Sequence, residues 1–367
     1  MARSHDMTSG SIWRSLLGFS IPIMISNLVQ STYNAVDMLF VGRFTGTESL
    51  AAVSVCGPIL NVMIITLSGM SAGVLVVISG LLGAGDIKQA QDAAHTSVAL
   101  YALMAAVMTV LGLLFVPQIL RLVQTPAAAM PEAKRYLYTV FAGTVFTFGY
   151  NLIGALQRGL GNAAASMSFV IISSAANIAL DAVFIVWLGM GAFGAALGTV
   201  LSQVAAFVIG TVQFARGGAA LRLSARAVRF HKKHLKNILL FGVPTALNEV
   251  MVNLAMLTVS GVANSFGLAS SAAYGVGSRI NSLAIFTDGA MNQTMSAYAS
   301  QNIGAGRQKR ALEGLWKAII LSAGAALGTS LLVLGFASEF SACFDSDPAV
   351  IEQSAAFLRV TVWSDPL

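Results

Sequence analysis

Charged residues are scarce in this chain: only 10% of its 367 residues are Asp, Glu, Lys or Arg, whereas 56% are hydrophobic. A soluble protein of this length needs about 25% charged residues to cover its surface. The mean hydropathy of +0.77 points the same way. The composition therefore argues against a set of soluble domains and predicts a chain that lies mostly within a membrane.

Cysteine and histidine are also rare. The two cysteines, Cys56 and Cys343, lie in different halves of the chain, so neither a disulfide framework nor a metal-binding spacing follows from them. Of the four histidines only His231 and His234 are close together, and the lysines around them indicate a solvated basic loop. We therefore predict no metal centre built from these residues.

No motif indicates an enzyme or a bound cofactor, and no Ser/His/Asp or Cys/His constellation is visible. The string GMGAFG at 189–194 matches a dinucleotide fingerprint, but it lies between two apolar segments and no acid occurs from 182 to 248 to hold a ribose. The net charge of +6 does not indicate nucleic-acid binding, because the basic residues are dispersed between apolar segments. We expect no enzymatic activity, no cofactor and no nucleic-acid partner.

Long apolar segments recur along the whole chain, each long enough to cross a hydrocarbon core of roughly 30 Å as a helix. They are far longer than a barrel strand and do not alternate, which argues against strands. The fold class predicted is an all-α polytopic membrane protein with ten helices. Their approximate limits are 12–41, 50–81, 93–117, 134–157, 164–188, 192–215, 237–265, 271–299, 311–337 and 350–367.

The distribution of lysine and arginine predicts a cytoplasmic N-terminus. With that orientation only Arg43, Arg121, Lys134 and Arg135 fall on the outer side. The residues on the inner side are Arg3, Arg14, Lys88, Arg158, Arg216, Arg222, Arg226, Arg229, Lys232, Lys233, Lys236, Arg307, Lys309, Arg310 and Lys317. We expect a multi-pass protein of a bacterial or archaeal cytoplasmic membrane.

The chain repeats itself. FSIPIMISNL at 19–28 returns as FGVPTALNEV at 241–250, and LLGAGDIKQA at 81–90 returns as NIGAGRQKRA at 302–311. Both copies begin on the inner side, which predicts two parallel six-helix repeats in two lobes. We assign 1–215 to the N-lobe, 216–236 to a basic cytoplasmic linker and 237–367 to the C-lobe. By the same offset, two further helices would be needed to complete the second copy, so we expect a C-terminal truncation of a twelve-helix protein.

Four acids lie inside apolar segments: Asp37, Asp181, Glu249 and Asp288. A charge at bilayer depth is costly, so such residues usually face a cavity and serve a site, although a neutral, hydrogen-bonded carboxylic acid is the alternative. Asp37 and Asp181 lie on segments that run outward and sit at a matched depth, roughly 8–12 Å below the outer ends. We therefore predict that they form a pair.

Polar residues at similar positions extend this pair. Asn177 is one turn from Asp181, Thr199 and Gln203 are one turn apart on the next segment, and Gln30 lies two turns before Asp37. Carboxylate, amide and hydroxyl oxygens suit a proton or a sodium ion, and two buried carboxylates that meet favour proton uptake. No other metal is predicted.

Each repeat carries a proline in its first helix, Pro22 and Pro244. Proline removes a backbone hydrogen bond, so each position is either a hinge or a static kink. The pairs Gly69/Gly73 and Gly194/Gly198 have small-xxx-small spacing, which favours close helix packing.

These residues resemble the multidrug and toxic compound extrusion (MATE) transporters over the whole chain. IPIMISNLVQSTYNAVDMLFVGRF is similar to the family's first helix, AANIALDAVFIVWLGMGAFGAALGTVLSQ to its fifth and sixth helices, and ASQNIGAG to the signature after its eighth helix. The resemblance implies twelve helices in two lobes around a central cavity, and export of amphipathic or cationic compounds driven by inward flow of H⁺ or Na⁺.

By the same resemblance, Asp37, Asn177, Asp181 and Thr199 match the family's N-lobe cation site, and Gln30 and Asn151 match positions near it. The sequence departs from the family's pattern at two acids. Glu249 is nearer its proline than the coupling acid that some members carry, so it is assigned no role. Asp288 stands where an uncharged residue is expected.

The function predicted is a secondary active multidrug efflux antiporter that works as a monomer on small amphipathic or cationic drugs. The alternative is a lipid-linked saccharide flippase, which needs cavity-lining arginines or lysines, and only Arg279 and Arg359 are candidates. The coupling ion and the substrate stay open. The residues that either line the cavity or simply pack are Phe146, Phe148, Tyr150, Phe286 and Met291.

Overall fold

The computed structural model of the chain describes residues 6–216, 221–342 and 348–361, except for the side chains of 225, 268, 269, 279–287 and 349. Over the described residues the chain forms ten α-helices and no strand, which confirms the predicted all-α fold. The helices are α1 Ile12–Phe44, α2 Thr47–Gly83, α3 Ile87–Leu122, α4 Met130–Gly159, α5 Ala163–Asp181, α6 Gly191–Arg216, α7 Lys232–Ser265, α8 Leu268–Gly304, α9 Gln308–Ala342 and α10 Pro348–Thr361. A π-helical turn, Ala182–Trp187, extends α5, and a 3₁₀ turn, Ala225–Ala227, precedes α7.

The length and apolar character of most of these helices explain why they form. Among the described residues, eight helices are long and apolar enough to cross a membrane: α1, α2, α3, α4, α5 with its π turn, α6, α7 and α9. The shortest of them has 25 residues and the longest 37, which exceeds the roughly 20 residues that a span requires. The tenth helix has only 14 residues, and residues 362–367 of the predicted tenth segment lie outside the described part.

Tight glycine turns end the second helix of each predicted repeat. Gly85 and Gly306 both adopt a positive φ, of 73° and 72°, directly after α2 and α8. Asp86 then caps α3 by accepting a hydrogen bond from the backbone N–H of Gln89 at 3.0 Å, and this bond lowers the pKa of the carboxyl group. The two GAG strings therefore make the same turn in both halves of the chain.

The first six helices pack around their own core. The helices α3 and α6 pack on α4, while α5 packs between α1 and α6. In the second half, α8, α9 and α10 pack on one another. The lobe boundaries themselves stay a prediction.

The helix α2 connects the two halves, because it packs against α4 on one side and against α7 and α8 on the other. Gly73 lies so close to α7 that an added Cβ would collide with the carbonyl oxygen of Ile238. A Cβ on Gly69 would meet Ala246 in the same way. The glycine pair on α2 therefore serves close packing between helices of the two halves.

The ends of several helices meet at one face of the molecule, which we call the N-terminal face because α1 begins there. Buried Met7 packs with Leu16 and with Ala163 at the start of α5, and its backbone N–H donates to Gln301 Oε1 at the end of α8. Lys233 Nζ donates to Gln89 Oε1 at 2.8 Å, which brings the start of α7 to the start of α3.

The described part of the basic linker packs against α3. The backbone N–H of Arg222 donates to Gln91 Oε1 at 2.7 Å, and the backbone N–H of His231 donates to Thr96 Oγ1 at 3.3 Å. His234 is buried in the first turn of α7, with its ring 6.0 Å from that of His231. The expectation of a solvated histidine pair therefore misses the contact between this segment and α3.

Candidate functional site: a buried carboxylate pair

Two membrane-embedded carboxyl groups meet inside the first six helices. Asp37 lies in the C-terminal half of α1, and Asp181 is the last residue of α5. The two groups lie close enough to interact electrostatically, although neither Asp181 oxygen has a hydrogen-bond partner among the described residues. The side chain of Asp181 has no solvent exposure, and Asp37 is partly buried.

The local backbone sets the position of Asp181. The π-helical turn begins at the next residue, Ala182, and closes with a hydrogen bond from the backbone N–H of Leu188 to the carbonyl oxygen of Val183 at 3.0 Å. Single π turns inside α-helices occur frequently at functional sites. The acid therefore sits where the regular helix gives way to a wider turn.

A glycine on α6 makes room for this carboxyl group. A Cβ added at Gly198 would overlap Asp181 Oδ1. The small-xxx-small spacing of Gly194 and Gly198 predicts close packing against a neighbouring helix. At Gly198 the space left by the missing side chain is filled by Asp181 Oδ1, an oxygen of the site itself.

Several polar atoms around the pair have no hydrogen-bond partner among the described residues. They are Asp37 Oδ1, both carboxyl oxygens of Asp181, and both the oxygen and the nitrogen of the Asn177 amide. Each unsatisfied polar group buried in this way costs about 1–3 kcal/mol, and a charged group costs more. The arrangement is therefore rich in oxygen acceptors that a proton or a cation would satisfy.

The donor set suits a proton or a monovalent cation better than a transition metal. Its acceptors are carboxylate and amide oxygens, which are ligands for hard cations. Among the described residues no group of three or more His, Cys, Asp and Glu side chains converges anywhere.

A small cavity lies between α1, α4, α5 and α6, one helical turn from the pair along α1 and α5, and neither Asp37 nor Asp181 lines it. It has room for about 20 Å³, which is the space of roughly one water molecule. The predicted residues Gln30, Asn177 and Gln203 line it. The other lining residues are Tyr33, Tyr150, Val170, Ser173, Ser174 and Ser202.

The predicted residues Asn151 and Thr199 do not line this cavity either. The amide of Asn151 donates to the carbonyl oxygen of Thr147 at 2.8 Å on its own helix, and Thr147 in turn donates to Gln203 Oε1. The carbonyl oxygen of Thr199 accepts a bond from Ser202 Oγ at 2.8 Å. Asn151 is therefore linked to the cavity-lining Gln203 through Thr147, and Thr199 contacts the cavity-lining Ser202.

The remaining candidates lie elsewhere. Pro22 is inside α1 and Pro244 inside α7, where it is exposed. Glu249 is also in α7, and Asp288 is an exposed residue of α8. The structure brings neither acid to the Asp37/Asp181 pair.

Of the aromatic and methionine candidates, Tyr150 lines the cavity. Phe148 and Met291 are buried in hydrophobic clusters, and the ring of Phe146 packs edge-on against Phe207. Phe286 and Arg279 lie among the side chains outside the described residues, and so does Cys343. Arg359 is exposed on α10.

The sequence reasoning missed one residue at the site. Tyr33 lines the cavity together with Gln30. It lies one turn from both Gln30 and Asp37, so the helical spacing around Asp37 was the signal that could have found it. Arg158, predicted as an inner-face charge, lies in the last turn of α4, where its Nε is buried and its Nη1 donates to Ser166 Oγ at 3.0 Å.

Curated relatives of this chain are named as drug-resistance proteins. It is 29% identical over 308 residues to the probable multidrug resistance protein YpnP of Bacillus subtilis, covering 84% of this chain and 69% of the relative. It is also 29% identical to the probable multidrug resistance protein YoeA of the same species, covering 96% of this chain and 78% of that relative.

The fold is similar to that of solved transporters. One structure, described as the outward-facing conformation of a multidrug resistance MATE family transporter, superposes with a TM-score of 0.89 at 25% identity, covering 99% of this chain and 81% of that one. The family model MatE matches residues 22–183 and 244–367, which is most of the chain and begins in both halves at the repeated proline. The chain therefore belongs to the MatE family of membrane transporters.

Proposed function

We propose that this protein is a secondary active antiporter that exports amphipathic or cationic compounds in exchange for H⁺ or Na⁺. The observation that carries the proposal is the Asp37/Asp181 pair, whose buried oxygens have no hydrogen-bond donors among the described residues. The similarity to proteins named for multidrug resistance supports the substrate class.

The pair couples the ion to a change in shape. An ion drives a conformational change only if it binds the two states unequally. A proton or cation at Asp37 and Asp181 holds α1 against α5, and its release leaves two carboxylates that repel each other. The proposed mechanism is therefore that occupancy of the pair decides the position of α1.

Pro22 is the proposed hinge of this movement, and Pro244 the equivalent position in α7. A proline cannot donate to the helix ladder, so bending there breaks fewer hydrogen bonds. The carbonyl oxygen of Pro22 accepts a bond from Ser26 Oγ at 2.8 Å, which gives the bend a local polar partner.

The proposed topology places the N-terminal face in the cytoplasm. That face carries most of the lysines and arginines, including those of the linker 216–236, as the positive-inside rule requires. The N-lobe would then be 1–215 and the C-lobe 237–367, in a monomer of the cytoplasmic membrane.

Transport in proteoliposomes tests the proposal. We expect an imposed proton or sodium gradient to drive drug accumulation by the wild-type protein. Asp37→Asn together with Asp181→Asn should reduce that transport roughly 5- to 150-fold, the usual range for a coupling of 1–3 kcal/mol.

The matched control is Glu48→Gln, an exposed carboxylate in the first turn of α2, which should leave transport unchanged. If the double variant still accumulates drug at the wild-type rate, the pair is not the coupling site. If neither gradient drives the wild type, the antiporter function is wrong.

A further inference from the structure

Two tryptophan side chains are exposed on α1 and α9, two helices that are in contact with each other. Trp13, in the first turn of α1 at the N-terminal face, is 39% exposed, and Trp316 of α9 is 61% exposed. Tryptophan is enriched at membrane–water interfaces, because its ring system is apolar and its N–H is polar. Both residues therefore suit a position at the level of the lipid headgroups.

A cation accompanies each tryptophan at the edge of the membrane span. Arg14 is exposed on α1, and Lys317 Nζ of α9 lies 5.9 Å from the centroid of the Trp13 ring, which is close enough for a cation–π contact. On α1 the next charge after Arg14 is Asp37. On α9 the next charge after Lys317 is Glu339. Both uncharged stretches have at least the roughly 20 residues that a span requires, so each cation lies where a span begins.

Apolar side chains continue from the tryptophans toward the middle of the membrane. On α1, Leu17 and Ile21 follow Trp13 at intervals of four residues, so the three share one face, and all are exposed. On α9, Ile320 follows Trp316 by the same interval and is also exposed. Each helix therefore presents an apolar face that begins at headgroup level.

The two helices are joined beneath these exposed side chains. Ala318, the residue after Lys317, is buried in the same hydrophobic cluster as Leu16 and Phe19 of α1. The cation–π contact between Lys317 and Trp13 bridges the same two helices. We call the exposed seam between them the α1/α9 crevice, which is formed by Trp13, Arg14, Leu17, Trp316, Lys317 and Ile320.

Neither cation of the crevice has an acidic partner. Among the described residues no ion pair includes Arg14 or Lys317. Glu313 lies one turn before Lys317 on α9, a spacing at which Glu and Lys commonly pair. The lysine instead contacts the ring of Trp13, which belongs to the crevice. Two positive charges are therefore left at headgroup level beside an apolar face.

We propose that the α1/α9 crevice binds an anionic phospholipid from the leaflet at the N-terminal face. The lipid phosphate would lie at Arg14 and Lys317, and an acyl chain would cover Leu17 and Ile320. Basic pockets between transmembrane helices bind anionic headgroups in this way. A soluble anion would leave the apolar side chains uncovered, and a zwitterionic lipid would bring no net negative charge.

The position of the crevice gives the lipid a role beyond the transport proposed above. Because α1 belongs to the first half of the chain and α9 to the second, a bound lipid would contact both halves next to the N-terminal face. Binding there needs neither the coupling ion nor the drug. The lipid would therefore be a structural partner of the transporter rather than its substrate.

Tryptophan quenching by brominated lipids tests this proposal, because bromine quenches only rings that the acyl chain approaches. The full chain carries Trp187→Phe and Trp363→Phe, which leaves Trp13 and Trp316 as the two emitting rings of the four tryptophans. Phosphatidylglycerol with brominated chains is compared with phosphatidylcholine brominated in the same way. We expect at least about a fivefold preference for phosphatidylglycerol, since each basic residue near the membrane surface contributes a factor of about five.

Substitutions in the crevice should remove this preference. Lys317→Gln and Arg14→Gln should each lower it about fivefold, whereas Lys317→Arg, which keeps the charge, should retain it. The matched control Lys88→Gln removes an exposed lysine from the first turn of α3 and should leave the preference unchanged. Arg14 is exposed, so its variant keeps the test decisive if Lys317→Gln folds poorly.

Three outcomes would contradict the lipid site. Equal quenching by the two lipids in the parent protein would show that the crevice does not select an anionic headgroup. An unchanged preference in Arg14→Gln and in a folded Lys317→Gln would place the selectivity elsewhere. Loss of quenching on adding soluble glycerol phosphate would show that the cations bind a free phosphate compound instead of a lipid.

Discussion

Single atoms decide whether the carboxylate pair can form. Asp181 Oδ1 occupies the space beside Gly198 that a Cβ would fill. The other partner, Asp37, comes from a different helix, so the pair depends on the distance between α1 and α5 and on the absence of a side chain on α6. The glycine is therefore part of the site although it carries no chemistry.

Gly198→Ala should disable the site at this scale. The added methyl group must displace the Asp181 carboxyl group, so we expect gradient-driven efflux to fall at least fivefold and stability to drop by about 1–3 kcal/mol. Drug efflux and thermal unfolding in detergent measure the two effects. Gly57→Ala in α2 is the control, because a Cβ there meets nothing within 4 Å. Normal efflux by Gly198→Ala would show that the Asp181 position is not critical.

At the scale of elements, α2 and α8 meet through backbone atoms at the N-terminal face. A Cβ on Gly304 would collide with the carbonyl oxygen of Gly80, and one on Gly83 with that of Gln301. Backbone atoms cannot rotate away as a side chain can, so these glycines set how closely the two helices approach. The contact holds the end of α2 against the end of α8.

Gly304→Ala should therefore loosen the contact between α2 and α8. We expect the added methyl group to reduce the free energy of unfolding by about 1–3 kcal/mol. In a background without native cysteines, a cysteine at Ser300 should then react several-fold faster with a water-soluble thiol reagent. Gly289→Ala in the same helix is the control, because its Cβ would meet nothing within 4 Å. Equal labelling rates in the two variants would contradict the role given to this contact.

At the scale of the whole molecule, the N-terminal segment, residues 6–11, ties the start of the chain to its second half. Arg310 Nη2 donates to the carbonyl oxygen of Ser9 at 2.9 Å, and Arg307 donates to that of Thr8. Hydrogen bonds from the Thr8 hydroxyl, above all, lower the pKa of Asp6, which caps the segment. The cap's contribution is therefore full above the ordinary pKa of aspartate and is lost as the pH falls through the lowered one.

Arg310→Ala should release this segment and favour opening of the N-terminal face. The expected result is faster proteolysis near residues 6–11 and a several-fold faster reaction of the same cysteine at Ser300. Lys309→Ala, an exposed neighbour, should behave like the wild type. Unchanged proteolysis in Arg310→Ala would mean that Met7, buried among the helices, holds the segment without the arginine.

The sequence predicted the features that depend on position along the chain, such as helix limits and turns. It did not predict the features that depend on the rotation of a helix about its axis. The helix limits followed from the length of apolar runs, and the GAG turns from their glycines. The contact of Arg158 with Ser166 was not predicted, because a charge at a segment end looks the same in sequence whether it faces water or a neighbouring helix. Tyr33 was missed because its one signal in the sequence is its spacing of one turn from Gln30 and from Asp37.

The sequence by itself determined that this protein spans a membrane, that it repeats, and that Asp37 and Asp181 are costly charges at similar depth. These are properties of composition and position along a helix, which apolar length and helical rise convert directly into depth. Only the tertiary structure decided which faces meet: that the carboxyl groups lie within reach of each other, that Gly198 makes room for one of them, and that Arg158 turns toward Ser166. Helices that are hydrophobic on all sides carry little information about their own rotation, so packing against neighbours had to supply it.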